Sequence, residues 1–103
     1  MQLADQVAIV TGGSRGIGQA ICLDLARHGA KVVAAARNVD RIREWVAAEP
    51  ELANRVFPTA VDVTEREAVV QLVEGTVEQH GRLDILVNNA GITRDGLVMS
   101  MED

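Results

Sequence analysis

At 103 residues, the chain is one small domain or part of a larger one, able to bury roughly 60–70% of its unfolded surface. Ten basic and fifteen acidic residues leave a formal charge of −5, which argues against a nucleic-acid binder with its basic surface. Hydrophobic residues reach 48% with Trp45 and Phe57 as the sole aromatics and Cys22 as the sole cysteine; this excludes global disorder, a disulfide framework and a Cys-rich zinc site.

Gln6–Val10 is a compact apolar run that predicts a strand buried on both faces. Thr11–Gly18 holds four glycines and predicts a turn. From Ile17 the pattern turns helical, with Ile17, Ala20, Ile21 and Leu25 on one face, and Gly29 suits the left-handed position after that helix. Lys31–Ala36 predicts a second buried strand. Val39, Ile42 and Val46 recur at helical spacing until Pro50. Arg55–Ala60 predicts a third strand, and Pro58 places it at a sheet edge because proline lacks a ladder donor.

Thr64-Glu65-Arg66-Glu67 has the form of a capping box. The helix it opens carries Val69, Leu72, Val73, Thr76, Val77 and His80 at helical spacing and stops at Gly81. Leu83–Val87 predicts a fourth strand and Asn88–Gly91 a turn. Strands and helices alternate with short connections, so the fold class is α/β, with parallel strands and helices on both faces. The longest apolar run, Val32–Ala36, is far short of the ~20 residues that cross a bilayer. The N-terminus has no basic and apolar leader pattern. A soluble, cytoplasmic protein is expected.

The segment Thr11-Gly12-Gly13-Ser14-Arg15-Gly16-Ile17-Gly18 lies between a predicted strand and a predicted helix. Glycines let backbone approach a ligand closely, and the helix start offers unpaired N–H groups to a phosphate. A Walker A loop is excluded, because Gln19 and Ala20 stand where lysine and a hydroxyl residue are needed. The spacing Gly-x-Gly-x-x-Gly is absent as well; Gly12, Gly16 and Gly18 form Gly-x-x-x-Gly-x-Gly. After the second strand stand Ala36, Arg37 and Asn38, without the acid that would hold a ribose 2′-hydroxyl. Arg15 and Arg37 instead suit a 2′-phosphate, which favours NADP(H) over NAD(H). Asn88-Asn89-Ala90-Gly91 follows the fourth strand, at the end where parallel sheets bind ligands. Asp62-Val63 reads two ways, as a lead into the Thr64 cap or as a contact to an adenine amino group.

These motifs, in this order and separation, resemble the short-chain dehydrogenase/reductase family over essentially the whole chain. The stretch Gly91–Leu97, with Met99 and Met101, resembles its 3-oxoacyl-[acyl-carrier-protein] reductases; related acetoacetyl-CoA reductases share similar segments. The resemblance implies a Rossmann-type doubly wound parallel sheet in a three-layer sandwich, with strand order 3-2-1-4. Residues 1–103 would be the N-terminal part of one dinucleotide-binding domain. It implies that Gly12, Gly13, Ser14 and Arg15 cradle the phosphates while Gly16, Ile17 and Gly18 shape the helix start. Arg37 would take the 2′-phosphate, Asp62 and Val63 would frame adenine, and Asn89, Ala90 and Gly91 would line the ribose and nicotinamide.

The family reduces carbonyls with an Asn-Ser-Tyr-Lys tetrad. This sequence has no tyrosine, and its single lysine is Lys31. Catalytic residues are therefore assigned to none of the 103 positions, and no metal site is expected. The chain reads as a fragment, inactive alone, of a parent that reduces acyl-carrier-protein or CoA thioesters and assembles as a homotetramer. The alternatives are another ketoreductase of the family and a non-catalytic NADP-binding stub. The fourth strand is expected to leave an unpaired edge, and with it marginal stability and aggregation.

Overall fold

The computed structural model describes residues 3–12, 16–88 and 97–100. The elements in chain order are β1 (Val7–Thr11), α1 (Gly16–Arg27), β2 (Lys31–Ala36), α2 (Asp40–Ala47), a 3-10 turn (Pro50–Leu52), β3 (Val56–Ala60), α3 (Arg66–His80), β4 (Ile85–Asn88) and β5 (Leu97–Ser100). They form one sheet in the order β3-β2-β1-β4-β5. The first four strands are mutually parallel and β5 is antiparallel to β4.

Alternation along the central strands sorts the core into two layers. Val10, Val32 and Ala34 face α1 and α2, where they meet Cys22, Ala26, Ile42 and Trp45. Ile9, Val33 and Ala35 face the other way and meet Leu72 of α3. All five residues of β1 are buried, as a central parallel strand covered on both faces requires. The result is the expected Rossmann-type three-layer sandwich. β3 is at the edge, where Pro58 sits opposite Ala34.

Four local expectations are corrected. First, α1 buries Gly18, Cys22 and Ala26. Ile17 and Ala20 are exposed and Ile21 and Leu25 only half-buried. The helix meets the sheet through its small residues, which let its backbone come close, and the larger aliphatics flank that seam. Second, no capping box forms. α3 begins after Glu65, which makes no side-chain cap bond, because the Thr64 hydroxyl donates to Asp62 Oδ1 at 2.6 Å instead. Third, Val77 in the predicted apolar stripe of α3 is 43% exposed. Fourth, the outer edge of β4 is not open. β5 pairs along it from Ile85↔Ser100 to Asn88↔Leu97, which satisfies backbone groups that an edge strand would otherwise present.

Burial pushes the Cys22 thiol up to about 12, so it is a neutral packing group. The His80 ring packs against Phe57 with centroids 4.9 Å apart. Trp45 is buried, and its Nε1 finds no acceptor among the described residues, a loss of about 1–3 kcal/mol against a satisfied indole.

Candidate cofactor site

The strand register brings the C-terminal ends of four strands to one side of the sheet. Thr11 sits beside Ala35 on one flank and Asn88 on the other, and Ala36 sits beside Ala60. Every loop that leaves the C-terminal end of a parallel strand therefore opens at this edge, where open α/β sheets bind ligands.

The first loop begins with Gly12, whose N–H donates to Ala35 O at 2.9 Å. Gly12 has φ +69° and Gly16 φ +62°, backbone that costs an L side chain about 1–2 kcal/mol. Among the described residues, a Cβ on Gly16 would meet nothing within 4 Å. The positive φ, not crowding by the protein, is what asks for glycine there. α1 starts at Gly16, so its unpaired N–H groups and positive dipole end belong to this edge. Gly18 is buried in the seam with the sheet, whereas Ile17 is 70% exposed beside the turn. Gly13, Ser14 and Arg15 lie outside the described residues.

At the end of β2, Arg37 is exposed and its Nη2 lies 3.8 Å from Asp62 Oδ2, which follows β3. No acid occupies the strand end: Asn38 follows Arg37 and accepts the Asp40 N–H at 2.9 Å at the start of α2. Asp62 Oδ1 accepts the Thr64 N–H at 3.0 Å and the Thr64 hydroxyl at 2.6 Å. These two bonds, and the Arg37 charge behind them, hold its carboxyl below the usual carboxylate range. Val63 lies between these partners. Asp62 also lines a cavity of about 350 Å³ with Thr59 and Ala60 of β3 and Ala68, Gln71 and Leu72 of α3.

At the end of β4, the Thr11 hydroxyl reaches Asn88 Oδ1 at 3.1 Å and Val87 O at 3.4 Å. This bond ties the first and fourth loops together. Asn89, Ala90 and Gly91 lie outside the described residues. Among the described residues, no three His, Cys, Asp or Glu side chains gather as metal ligands. Lys31 opens β2 opposite Val7, at the far end of the sheet, ~17 Å away along a strand of this length. It takes no part in this edge.

The profile of the short chain dehydrogenase family matches residues 6–103. The chain belongs to this family of oxidoreductases. It is 39% identical over its whole length to a 3-oxoacyl-[acyl-carrier-protein] reductase of Thermotoga maritima, of which it spans 42%. It is 45% identical over 102 residues to a reductase of the same name from Synechocystis, of which it spans 41%. A short chain dehydrogenase from Burkholderia cenocepacia, solved in complex with NADP, superposes with a TM-score of 0.79 at 42% identity, covering 91% of this chain and 39% of that one. The chain thus spans about two fifths of these relatives, and it matches their N-terminal part. No helix of the described residues is long and apolar enough to cross a membrane.

Two features of this family member escaped the sequence reading. The Thr11–Asn88 bond joins residues 77 apart and becomes visible only with the β1–β4 register. Thr64 was assigned to a helix cap, although an Asp two residues ahead of a Thr is itself a turn signal.

Proposed function

We propose that this chain is the NADP(H)-binding, N-terminal part of a reductase that converts 3-oxoacyl thioesters to 3-hydroxyacyl thioesters. The observation that carries the cofactor reading is the pairing of two left-handed glycines, Gly12 and Gly16, with Arg37 at a β2 end that bears no acid. Backbone N–H groups of residues 13–18 bind pyrophosphate, helped by the α1 dipole. Arg37, with Arg15, takes the 2′-phosphate through charge-assisted bonds. Asp62 and Val63 frame adenine; Asn89, Ala90 and Gly91 line ribose and nicotinamide. Bound NADPH supplies a hydride for the ketone carbon. The relatives' name, 3-oxoacyl-[acyl-carrier-protein] reductase, supports a thioester on acyl-carrier protein as the substrate; a thioester on CoA and a homotetrameric parent belong to the same proposal.

This chain's own residues bind and orient. They supply neither the tyrosine nor the lysine of the family's tetrad, since the sequence lacks tyrosine and Lys31 is at the opposite end of the sheet. Calorimetric titration with NADPH and NADH tests the cofactor reading: NADPH binds the tighter, and equal affinities or none overturn it. Incubation with NADPH and an acetoacetyl thioester leaves the absorbance of the reduced nicotinamide unchanged. Turnover would disprove the assignment of catalysis to residues beyond these.

A further inference from the structure

The loop after β3 spends its hydrogen bonds in an unexpected way. Thr64 precedes α3 closely enough to cap it, yet α3 has no side-chain cap and both the hydroxyl and the N–H of Thr64 go to one oxygen, Asp62 Oδ1. The other oxygen, Oδ2, faces Arg37 Nη2 at 3.8 Å. Two donors from a single residue fix the rotation of the carboxylate. One oxygen is engaged inside the loop and the other is turned toward the end of β2. An ionised carboxylate has about four acceptor positions, so Oδ2 retains capacity for an external donor.

Magnitudes separate a structural role from a binding role. Thr64 is exposed and the Asp62 carboxylate partly so, and a hydrogen bond in such a setting contributes about 0.5–1.5 kcal/mol net to folding. The same bond has a second effect on binding. A carboxylate already fixed in one orientation loses no rotational freedom when a ligand donor arrives. Its lowered proton affinity, set first by the Thr64 hydroxyl and then by the Thr64 N–H, keeps it ionised and acceptor-only.

We infer that Thr64 is a positioning residue for base selection: it holds Asp62 so that Oδ2 receives the exocyclic amine of an adenine nucleotide whose 2′-phosphate engages Arg37. This rests on the NADP(H) reading above. It adds that Thr64 keeps one oxygen of this carboxylate inside the loop and leaves the other for the base. It also adds that a side chain with no ligand contact of its own sets the preference for a 6-amino over a 6-oxo purine.

The test is the affinity ratio of NADPH to its hypoxanthine analogue, measured by calorimetry on the whole chain. The wild type favours adenine about tenfold, the value of one hydrogen bond near 1.4 kcal/mol. Thr64→Val cuts this ratio to about threefold or less and leaves the ratio of NADPH to NADH unchanged. Thr64→Ser restores the adenine preference. Asp62→Asn inverts it, because an amide NH₂ at the place of Oδ2 donates to a 6-oxo group. Lowering the pH erodes adenine preference earlier in Thr64→Val than in the wild type, since loss of the hydroxyl lets the Asp62 carboxyl rise toward its usual range. NADPH binding with wild-type base discrimination in Thr64→Val overturns the inference and leaves the cofactor reading standing. Absence of NADPH binding by the wild type overturns both.

Discussion

Left-handed glycines stand at both ends of the sheet, and Gly29 at one end and Gly16 at the other are needed for different reasons. At the N-terminal end, Gly29 follows α1 with φ +101°, and a Cβ there would stand 3.2 Å from the Ala4 backbone nitrogen. At the C-terminal end, Gly16 has φ +62° and a Cβ would meet open space. The protein's own backbone crowds a side chain at Gly29; no described residue crowds Gly16. The two Arg–Asp pairs differ as well. At the N-terminal end, Asp84 Oδ2 takes the Val7 N–H at 2.8 Å while Arg82 grips both carboxylate oxygens at 2.7 and 2.8 Å. At the C-terminal end, Arg37 and Asp62 approach no closer than 3.8 Å and Arg37 is largely exposed. The first pair fastens β1 to the segment before β4; the second leaves the Arg37 charge in reach of a ligand.

Removing the fastening gives the largest expected effect. Asp84→Ala leaves the buried Val7 N–H without its side-chain acceptor and costs about 1.5–3 kcal/mol, the range for a charge-assisted bond. A urea midpoint measures it. In conditions where the variant is folded, NADPH affinity stays at the wild-type value. An unchanged midpoint would show that the N-terminal end is not fastened by this carboxylate.

The opposite division holds for Arg37→Gln. NADPH affinity falls about ten- to a hundredfold, from bonds of about 1.5–3 kcal/mol to a phosphate. NADH affinity and the urea midpoint stay put, because a surface pair of this length stabilises the fold by less than about 1 kcal/mol. Equal losses for both nucleotides would move Arg37 away from the 2′-phosphate.

The two glycines then sharpen the contrast. Gly29→Ala combines unfavourable φ with a backbone clash and destabilises by about 2 kcal/mol or more, with no change in binding. Gly16→Ala costs about 1–2 kcal/mol of stability through φ alone, and it lowers NADPH affinity as well because the added methyl occupies the open space over the turn. A Gly16→Ala variant that binds NADPH normally would remove the turn from the site.

The same contrast explains what could be read from the sequence. β1 and β2 were legible because buried parallel strands are continuous apolar runs, and Gly12 and Gly16 because positive φ selects glycine. Pro58 announced the edge strand through its missing donor. The seam of α1 was misread because size ranked Ile17 and Ile21 above Gly18 and Cys22, whereas close helix–sheet contact selects small residues. β5 was missed because Leu97–Ser100 is four residues long, too short for a period to declare itself. Within the candidate site, single residues such as Arg37 and Asp62 could be named from the sequence as candidates. Their pairing could not, since it depends on the register that sets Ala36 beside Ala60. Residue type advertises conformation and charge, but it does not say which oxygen of Asp62 faces which partner.

The smallest expected effect again belongs to the N-terminal end. His80 closes α3 against Phe57, and its imidazole is held below the usual histidine range, first by burial and then by the charge of Lys31. Over the pH window between its folded and its unfolded pKa, the unfolded chain binds more protons at this site than the folded one, so stability rises with pH. The contribution is fully present above about pH 6.5, the ordinary value for histidine, and is lost as pH falls through the folded value. His80→Gln removes the titration and keeps a polar group at the helix end. The difference in urea midpoint between wild type and His80→Gln therefore shifts against the wild type between pH 7.5 and pH 5. A pH-independent difference would mean that burial against Phe57 does not disfavour the imidazolium, and that this end of α3 is more open to water than its packing indicates. NADPH affinity referred to the folded state stays the same in both proteins across this range, because His80 and Lys31 lie at the end of the sheet that faces away from the glycine turn.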